Sequence, residues 1–376
     1  MSYMARCLEL AERGKGSVAP NPMVGAVIVC DDRIIGEGYH RCYGKAHAEV
    51  NAIASVKDES LLRNSTLYVS LEPCSHYGKT PPCAGLIIKK GIPRVVVACL
   101  DPYPEVAGRG VKMLREAGID VVTGVMEREA TELNRCFMTA HKERRPYIIL
   151  KWACSADGFI DRIRKDSSEK PAQLSNTITR MMVHKLRSEV QAIMVGTNTA
   201  VMDNPSLTVR HWAGKSPLRI LVDRKLRLLS GRNLNIPVDL SNDINLFDGT
   251  QRTIVYTNKH ISVSIRQYIL DKMNTEYVKM NDFGNFPRNM LTDLYKRNIH
   301  SLLIEGGACI HRCFIEEGLW DEIIIETTSD YLDDGVKAPE IHEINNMQLI
   351  DTYVVPCAQS SIEKSSVIDR YINRKV

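Results

Sequence analysis

The sequence predicts two α/β domains, because patterns typical of strands and helices alternate along most of its 376 residues. A chain of this length is expected to form about two domains of roughly 150 residues each. Arg144-Arg145-Pro146 ends a helical pattern and precedes an apolar strand. We therefore predict that residues 1–145 form one domain and residues 146–376 form the other.

The first domain is predicted to alternate helices and strands from its start. Apolar residues at helical spacing indicate helices, whereas short apolar runs between turn residues indicate strands. Pro81-Pro82 and Gly91 are typical of the start and the end of a helix. The predicted elements are a helix over residues 4–13, strands over 24–30 and 33–39 joined as a hairpin, a helix over 47–56, a strand over 66–71, a helix that Pro81-Pro82 begins and Gly91 ends, a strand over 94–100, a helix over 110–117, a strand over 121–125 and a helical run over 126–143.

The second domain begins with an apolar strand over residues 147–152. A helix follows over residues 176–189, because Ile178, Met181 and Leu186 recur on one face. Further strands are predicted over residues 192–195, 218–222, 253–257, 301–304 and 322–325. Residues 224–290 show the weakest pattern, and we predict loops with scattered strands there.

Composition and charge limit the classes of partner. The chain has 44% hydrophobic and 25% charged residues, which is typical of a soluble globular protein. A net charge of +4 is too small to indicate binding to nucleic acid. No run approaches the ~18 apolar residues that span a bilayer, and the N-terminal residues lack the apolar core of a signal peptide. We therefore expect a cytoplasmic protein with reduced cysteines and no membrane contact.

The most specific chemical pattern is His47-Ala48-Glu49 followed by Pro73-Cys74 and then Cys83. One imidazole and two thiolates would give zinc three ligands and leave a fourth position for water. The metal lowers the pKa of that water from ~15.7 toward ~7, so hydroxide exists at neutral pH. Glu49 would then move protons between hydroxide and a leaving amine. This combination is typical of zinc-dependent nucleobase deaminases.

The geometry of this pattern depends on where a helix begins. Residues two apart on an ideal helix point ~200° apart, so His47 and Glu49 converge only if the helix starts beside them. Tyr43-Gly44-Lys45 predicts a loop there. Two alternatives remain open: buried free thiols at Cys74 and Cys83, or a closed structural zinc site. The fourth ligand of a closed site would be His40, Cys42 or His76.

Two signals in the second domain indicate anion binding. Ser301–Ile304 forms a strand that leads through Gly306-Gly307 into a helix, which would let backbone N–H groups approach the phosphates of a cofactor. The alternative is an ordinary tight turn. Arg187 and Arg210 could grip a substrate phosphate with two hydrogen bonds each, although surface arginines are common.

Taken in order, the motifs resemble those of the bifunctional riboflavin-biosynthesis deaminase/reductase family. The wide spacing between Cys74 and Cys83 is characteristic of that family. The matching motifs are Pro20-Asn21-Pro22-Met23-Val24-Gly25, Gly38-Tyr39-His40, His47-Ala48-Glu49-Val50, Leu71-Glu72-Pro73-Cys74-Ser75-His76, Gly78-Lys79-Thr80-Pro81-Pro82-Cys83, Asp101-Pro102, Val106-Ala107-Gly108-Arg109-Gly110, Asp203-Asn204-Pro205-Ser206-Leu207-Thr208-Val209-Arg210 and Glu305-Gly306-Gly307.

The resemblance implies a cytidine-deaminase-like α/β/α zinc domain followed by an α/β domain similar to dihydrofolate reductase. The first would deaminate 2,5-diamino-6-(5-phosphoribosylamino)pyrimidin-4(3H)-one and release ammonia. The second would use NADPH to reduce the ribosyl group of 5-amino-6-(5-phosphoribosylamino)uracil to a ribityl chain. Expected partners are these small phosphoribosyl-pyrimidines, with neither nucleic acid nor membrane, and the family is expected to form homo-oligomers.

Carried over residue by residue, the resemblance also implies roles for individual side chains. Zinc would be held by His47, Cys74 and Cys83, with Glu49 as the catalytic proton shuttle. The deaminase substrate would contact Asn21, His40, His76 and Lys79. The reductase cofactor would contact Cys154, Thr199, Asp203, Gly307, Ala308, Cys309 and Ile310, and its substrate would contact Arg187, Leu207, Arg210 and Glu305.

The chain departs from the family pattern at three places in the second domain. The segment Lys170–Asn176 lacks the serine and tryptophan that the family usually offers near the cofactor. Cys154 stands where a smaller or inert residue is common, and Arg224 stands where a small polar residue is expected. Cofactor contacts within residues 165–176 are therefore not predicted.

Two other functions fit parts of the same pattern. One is a deaminase of a nucleoside, a free base or tRNA, with residues 146–376 as a non-catalytic domain. The other is a zinc-stabilised binding module with four protein ligands and no catalysis. Oxidation of NADPH that depends on the deaminated pyrimidine would distinguish the bifunctional enzyme from both.

Overall fold

The computed structural model describes residues 2–75, 82–103, 107–230, 244–282, 284–341, 344, 346–356 and 364–374. It divides into two compact units, Met1–Arg145 and Pro146–Val376. Within the described residues, no helix combines the length and the apolar character needed to cross a bilayer.

The first unit is a sheet in the strand order β2-β1-β3-β4-β5 with helices on its faces. β1 runs antiparallel to β2 and β3, whereas β3, β4 and β5 are parallel. A short 3-10 helix, Glu59–Asn64, precedes β3. The elements are α1 (Tyr3–Glu12), β1 (Gly25–Cys30), β2 (Arg33–Tyr39), α2 (Ala48–Ala54), β3 (Thr66–Leu71), α3 (Cys83–Lys90), β4 (Arg94–Cys99), α4 (Arg109–Glu116), β5 (Asp120–Thr123), α5 (Glu127–Leu133) and α6 (Arg135–Glu143).

Alternate residues of the central strands face two separate apolar cores. Ala26 and Ile28 of β1 pack with residues of α2, α3 and α4 on one side of the sheet. Val27 and Val29 pack with residues of α1, α5 and α6 on the other side. Because side chains alternate across a strand, a strand covered on both faces is apolar throughout, as β1 is. The unit is therefore the three-layered α/β/α arrangement that the resemblance implies.

One feature of the first unit differs from the sequence prediction. The helical run over residues 126–143 is two helices, because the chain breaks at Asn134. The Asn134 side chain accepts a hydrogen bond from the Met23 amide at 2.8 Å and donates one to the Met23 carbonyl at 2.9 Å. This contact spans 111 residues of sequence, so no local pattern reveals it.

Gly25 allows α1 to pack directly on β1, so replacing it with alanine is expected to destabilise the first unit. A Cβ at Gly25 would lie 2.0 Å from the Cys7 carbonyl oxygen. We expect Gly25→Ala to lower the free energy of unfolding by about 1–3 kcal/mol. Gly85→Ala is the matched control, since a Cβ in that helix meets its nearest side chain at 3.6 Å.

Tryptophan fluorescence cannot report on the stability of the first unit, because all 3 tryptophans lie in the second. Hydrogen exchange of the β1 amides, followed by mass spectrometry, reports on the first unit instead. Faster exchange in Gly25→Ala than in Gly85→Ala is the expected result. Equal protection of the β1 amides from exchange in the two variants would show that α1 and β1 can move apart without lowering the free energy of unfolding.

The second unit is built on a sheet in the strand order β11-β10-β9-β8-β12-β6-β13-β16-β15. The strands from β11 to β13 are parallel, and β16 and β15 complete the sheet as antiparallel strands. The short strands β7 and β14 pair separately. The elements are β6 (Tyr147–Cys154), β7 (Phe159–Asp161), α7 (Thr177–Glu189), β8 (Ala192–Gly196), α8 (Thr197–Asp203), β9 (Leu218–Val222), α9 (Arg227–Ser230), β10 (Thr253–Thr257), α10 (Val263–Met273), β11 (Thr275–Lys279), α11 (Phe286–Lys296), β12 (Ser301–Gly306), α12 (Ala308–Glu316), β13 (Glu322–Thr328), β14 (Val336–Lys337), β15 (Met347–Val355) and β16 (Ser366–Asn373), with a short 3-10 helix at Asn245–Phe247.

Residues 224–290 were predicted as loops with scattered strands, but the described part of this range also contains regular helices. α10 and β11 form a helix–strand unit that continues the parallel sheet beyond β10. The exposed face of α10 carries apolar residues such as Val263 and Leu270, which weakens its amphipathic pattern. The antiparallel strands β15 and β16 are absent from the sequence prediction, because polar residues interrupt their apolar ones without a regular alternation.

Candidate active sites

The start of α2 brings His47 and Glu49 onto the same side of the helix. His47 is the residue before α2, with extended backbone angles (φ −71°, ψ 167°), and Glu49 lies in the first helical turn. His47 therefore does not follow the 100° helical rotation that would direct its side chain away from Glu49. The prediction that the helix begins beside these residues is confirmed.

The two cysteines reach the same place from β3 and α3. Cys74 lies three residues beyond the end of β3, and Cys83 is the first residue of α3. His47 Nδ1 lies 3.6 Å from Cys74 Sγ and 3.4 Å from Cys83 Sγ. All three potential ligand atoms lie within 4.8 Å of one another. One imidazole and two sulfurs at these separations fit a tetrahedral zinc ion with one position open.

The electrostatics of this cluster favour a thiolate and a carboxyl group that can exchange protons. Hydrogen bonding from Cys83 lowers the pKa of Cys74 below its usual value. The Cys83 amide also points at Cys74 Sγ, at 3.3 Å. Glu49 is only 3% exposed, and burial, assisted by the charge of Cys74, raises the pKa of its carboxyl to about 7. Such a group can both accept and donate a proton near neutral pH.

His40 does not act as a fourth ligand, because both of its ring nitrogens have other partners. Nδ1 lies 3.0 Å from the Ala46 carbonyl oxygen, and Nε2 lies 3.1 Å from Asn21 Nδ2. The ring therefore donates through Nδ1 and accepts at Nε2, and burial lowers its pKa, which favours this neutral form. Among the described residues, Cys42 does not join the ligand cluster. His76 and Lys79 lie outside the described residues.

Asn21 and His40 thus form a hydrogen-bonded pair beside the predicted metal. The His40 ring lies 5.6 Å from the His47 ring in an edge-to-face arrangement. Polar groups held at this distance from the ligands can contact a heterocycle that approaches the metal. The structure brings together all the predicted first-domain site residues that it describes.

In the second unit, Arg187 and Glu305 bind each other. Arg187 donates from Nε to Glu305 Oε1 at 2.8 Å and from Nη2 to Oε2 at 2.5 Å. Burial raises the pKa of the Glu305 carboxyl, but the guanidinium outweighs burial and leaves the pKa below its usual value. Arg187 is therefore engaged by a carboxylate, and the sequence interpretation of Arg187 as a free phosphate clamp needs this correction.

Thr208 connects Arg187 to the other predicted substrate residues. Arg187 Nη1 donates to the Thr208 carbonyl at 3.1 Å, and Arg210 Nη1 donates to Thr208 Oγ1 at 2.9 Å. Leu207 is buried with φ +52°, a conformation that is strained for a branched side chain. Backbone strain of this kind concentrates at binding sites. The four predicted substrate residues therefore belong to one connected region.

The predicted cofactor loop meets α8 at close range. A Cβ at Gly307 would lie 3.1 Å from Thr199 Oγ1, a tight contact that Thr199 would have to relieve by a small movement. Gly307 precedes α12, and Ala308, Cys309 and Ile310 form the first turn of that helix. The unpaired N–H groups of a first helical turn favour a phosphate. The arrangement fits a nucleotide cofactor.

Asp203 and Cys154 have partners that the sequence did not reveal. Asp203 forms an ion pair with Arg164, which also donates to Asp161 at 2.7 Å and to the Met202 carbonyl at 2.9 Å. The Cys154 sulfur is buried, 3.7 Å from Thr327 Oγ1. Arg164 belongs to none of the motifs that carry the resemblance, which explains why no motif identified it.

A buried ion pair in the same unit was also missed. Lys151 Nζ lies 3.3 Å from Glu326 Oε2, and both side chains are buried. Ser175 and Ser366 donate to the same carboxylate at 2.6 and 3.1 Å. A lysine inside the apolar run Tyr147–Trp152 was the available signal, because burying an unpaired ammonium group is costly.

Models of two known protein families match the chain, one in each unit. Residues 1–99 match the cytidine and deoxycytidylate deaminase zinc-binding region, and residues 146–329 match the RibD C-terminal domain. The riboflavin biosynthesis protein RibD of Aquifex aeolicus is 38% identical over 343 residues, which cover 90% of each chain. RibD of Bacillus amyloliquefaciens is 40% identical over 322 residues, covering 85% of this chain and 82% of that protein.

Solved structures show the same architecture along the full length. A deaminase/reductase from Thermotoga maritima, named as a diaminohydroxyphosphoribosylaminopyrimidine deaminase and 5-amino-6-(5-phosphoribosylamino)uracil reductase, superposes with a TM-score of 0.81. It is 32% identical, with 99% of this chain and 97% of that chain covered. RibD of Acinetobacter baumannii superposes with a TM-score of 0.82 at 32% identity, covering 99% and 98%.

Fold and site together define a zinc-dependent deaminase joined to an oxidoreductase domain. The chain belongs to the RibD family of riboflavin biosynthesis proteins. It is an enzyme with a hydrolase and an oxidoreductase domain, and its cofactors are zinc and NADPH.

Proposed function

We propose that this chain catalyses both steps implied by its family and that the residues identified above carry them out. The first step deaminates 2,5-diamino-6-(5-phosphoribosylamino)pyrimidin-4(3H)-one, and the second reduces the ribosyl group of 5-amino-6-(5-phosphoribosylamino)uracil with NADPH. The observation that carries the proposal is the cluster of His47, Cys74 and Cys83, within 4.8 Å of one another, beside buried Glu49.

In the deaminase site, His47, Cys74 and Cys83 would hold zinc, which supplies a water with its pKa lowered toward ~7. Glu49 takes a proton from that water and delivers one to the amine as its bond to the ring carbon breaks. Water is consumed, a carbonyl replaces the amine, and ammonia leaves. Asn21 and His40 orient the pyrimidine, and His76 and Lys79 remain predicted substrate contacts.

In the reductase site, Leu207, Arg210 and the ion-paired Arg187 and Glu305 would bind the phosphoribosyl group. Cys154, Thr199, Asp203 and the turn Gly307–Ile310 bind the cofactor. When bound, NADPH would supply a hydride to C1′ of the ribosyl group after the bond from C1′ to the ring oxygen has opened to give a C=N imine, and a proton taken up at that nitrogen would complete the reduction and leave NADP+. The hydride chemistry belongs to the cofactor, so these residues act by positioning and by electrostatic grip.

Removal of metal is expected to separate the two reactions. With the diaminopyrimidine as substrate, ammonia release should continue without NADPH but should stop after zinc is chelated and resume after zinc is restored. With the deaminated compound supplied directly, NADPH oxidation should survive chelation. Ammonia release from metal-free protein, or a lack of NADPH oxidation with the deaminated compound, would contradict the assignment and favour a deaminase with an accessory domain.

We also propose that the enzyme is cytoplasmic and forms a homo-oligomer. β15 forms the end of the nine-stranded sheet, and its exposed residues include Leu349, Ile350 and Val354. An exposed apolar edge strand presents unpaired backbone groups that can pair with another chain, which supports self-association. Sedimentation analysis of the full chain should show a species larger than 42.3 kDa, whereas a monomer at micromolar concentration would refute the proposal.

A further inference from the structure

Glu72 is a buried carboxylate that no role above uses. It follows β3 directly, two residues before the zinc ligand Cys74, and it is 5% exposed. Its two oxygens accept four backbone hydrogen bonds. Oε2 accepts from the amides of Asp101 at 3.2 Å and Gly108 at 2.9 Å, and Oε1 accepts from the amides of Gly110 at 2.8 Å and Val111 at 3.2 Å.

The segment Glu72–Cys74 is thereby held from two directions. On one side, Gly110 in the first turn of α4 lies so close that its Cβ would be 2.0 Å from the Pro73 carbonyl oxygen. On the other side, the start of α3 holds Cys74. The Cys83 amide lies 3.3 Å from Cys74 Sγ, and the Ala84 amide donates to the Cys74 carbonyl at 3.1 Å.

We propose that Glu72 is a positioning residue for the zinc ligand Cys74, acting through its grip on the loop after β4 and on the start of α4. This inference rests on the proposed deaminase function. A metal ligand must be held in place before the ion binds, and groups behind the ligands commonly set metal affinity. Because Pro73 and Cys74 follow Glu72 immediately, a shift of this anchor displaces Cys74 relative to His47 and Cys83.

The chemistry of the four contacts requires a carboxylate. A carboxylate only accepts hydrogen bonds, so each oxygen can receive two amides. Glutamine has nearly the same shape, but its amide nitrogen is a donor and would face two backbone N–H groups whichever way it is turned. Glu72→Gln therefore removes two of the four contacts without changing side-chain volume.

The test measures metal binding by the full chain, with zinc and cobalt as the probes. In competition with a chromophoric chelator, Glu72→Gln is expected to bind Zn²⁺ at least about tenfold more weakly than the wild type. The visible absorption bands of the Co²⁺-loaded variant should change in intensity, because the geometry of the ligands changes. Ammonia release should fall, whereas reductase turnover in the same chain should be unchanged.

A second variant disturbs the packing of α4 against Pro73 and Glu72 by changing α4 itself. Gly110→Ala pushes the Pro73 carbonyl away and also places a Cβ 3.2 Å from Glu72 Oε1, so it should weaken zinc binding in the same direction. This variant carries the test if Glu72→Gln does not fold. Asp58→Ala is the control for general destabilisation, because it removes the hydrogen bonds from the Ser60 amide and hydroxyl that cap a 3-10 helix of the same unit.

Weaker zinc binding in both Glu72→Gln and Gly110→Ala, with wild-type binding in Asp58→Ala, supports the inference. Wild-type zinc affinity and cobalt spectrum in a folded variant of the pair overturn it, as does an equal loss in Asp58→Ala. These outcomes are distinct from failure of the proposed function, which would appear as wild-type protein that binds no zinc.

Discussion

Replacing Glu49 with glutamine is expected to abolish ammonia release while the protein keeps its zinc. Glutamine preserves the shape of the side chain but cannot take and return a proton. Proton transfer by a positioned side chain contributes about 10²–10⁴-fold to rate. The kcat for deamination should therefore fall by at least about 100-fold. Release of ammonia from the diaminopyrimidine, measured without NADPH, gives the result directly.

The interpretation of that experiment depends on two controls. The zinc content of Glu49→Gln should equal that of the wild type, because Glu49 is not among the three ligand candidates. Glu59→Gln is a matched change on the surface of the same unit, where Glu59 pairs with Lys90, and it should leave deamination unchanged. Full turnover in Glu49→Gln would mean that another group shuttles the proton.

Replacing Glu305 with glutamine is expected to destabilise the second unit by about 3 kcal/mol and to impair reduction. Both members of the Arg187–Glu305 pair are largely buried, with side-chain exposures of 13% and 12%. The neutral variant leaves the guanidinium in a poorly solvated place without its counter-charge. Urea denaturation followed by tryptophan fluorescence reports on this unit, since Trp152 and Trp320 lie in its core.

A surface ion pair provides the comparison for Glu305. Arg288 and Glu317 form a pair in the same unit, with side-chain exposures of 57% and 44%. Glu317→Gln should cost less than about 1 kcal/mol, because solvent screens exposed charges. The double variant Arg187→Met/Glu305→Leu should recover much of the stability but none of the reductase activity. Similar stability losses for Glu305→Gln and Glu317→Gln would show that burial does not determine how much the Arg187–Glu305 pair contributes to stability.

The metal site could be predicted from the sequence because each ligand stands beside a local structural signal. The loop before α2 fixes where His47 lies, β3 delivers Cys74, and the helix start at Pro82 presents Cys83. These signals depend on a few neighbouring residues, and the parallel pairing of β3 with β4 follows from the alternating helix–strand pattern.

The contacts that support the sites could not be predicted, because they join distant parts of the chain. Glu72 binds amides 29 to 39 residues away, and Arg164 reaches Asp203 across 39 residues. A sequence shows that Glu72 is acidic but not that it will be buried against four N–H groups. Likewise, it shows Arg187 and Glu305 as two separate charges, whereas the fold pairs them across 118 residues.

The most direct test of the account is zinc-edge X-ray absorption of the purified full-length protein. An open catalytic site predicts two sulfurs at about 2.3 Å, one imidazole nitrogen at about 2.0–2.1 Å and one further light atom from water. The light-atom position should stay occupied when a substrate analogue is added, because the metal-bound water is the nucleophile in the proposed deamination. A third sulfur, as from Cys42, or a second imidazole, as from His40 or His76, would show a closed structural site and contradict the proposed deaminase mechanism.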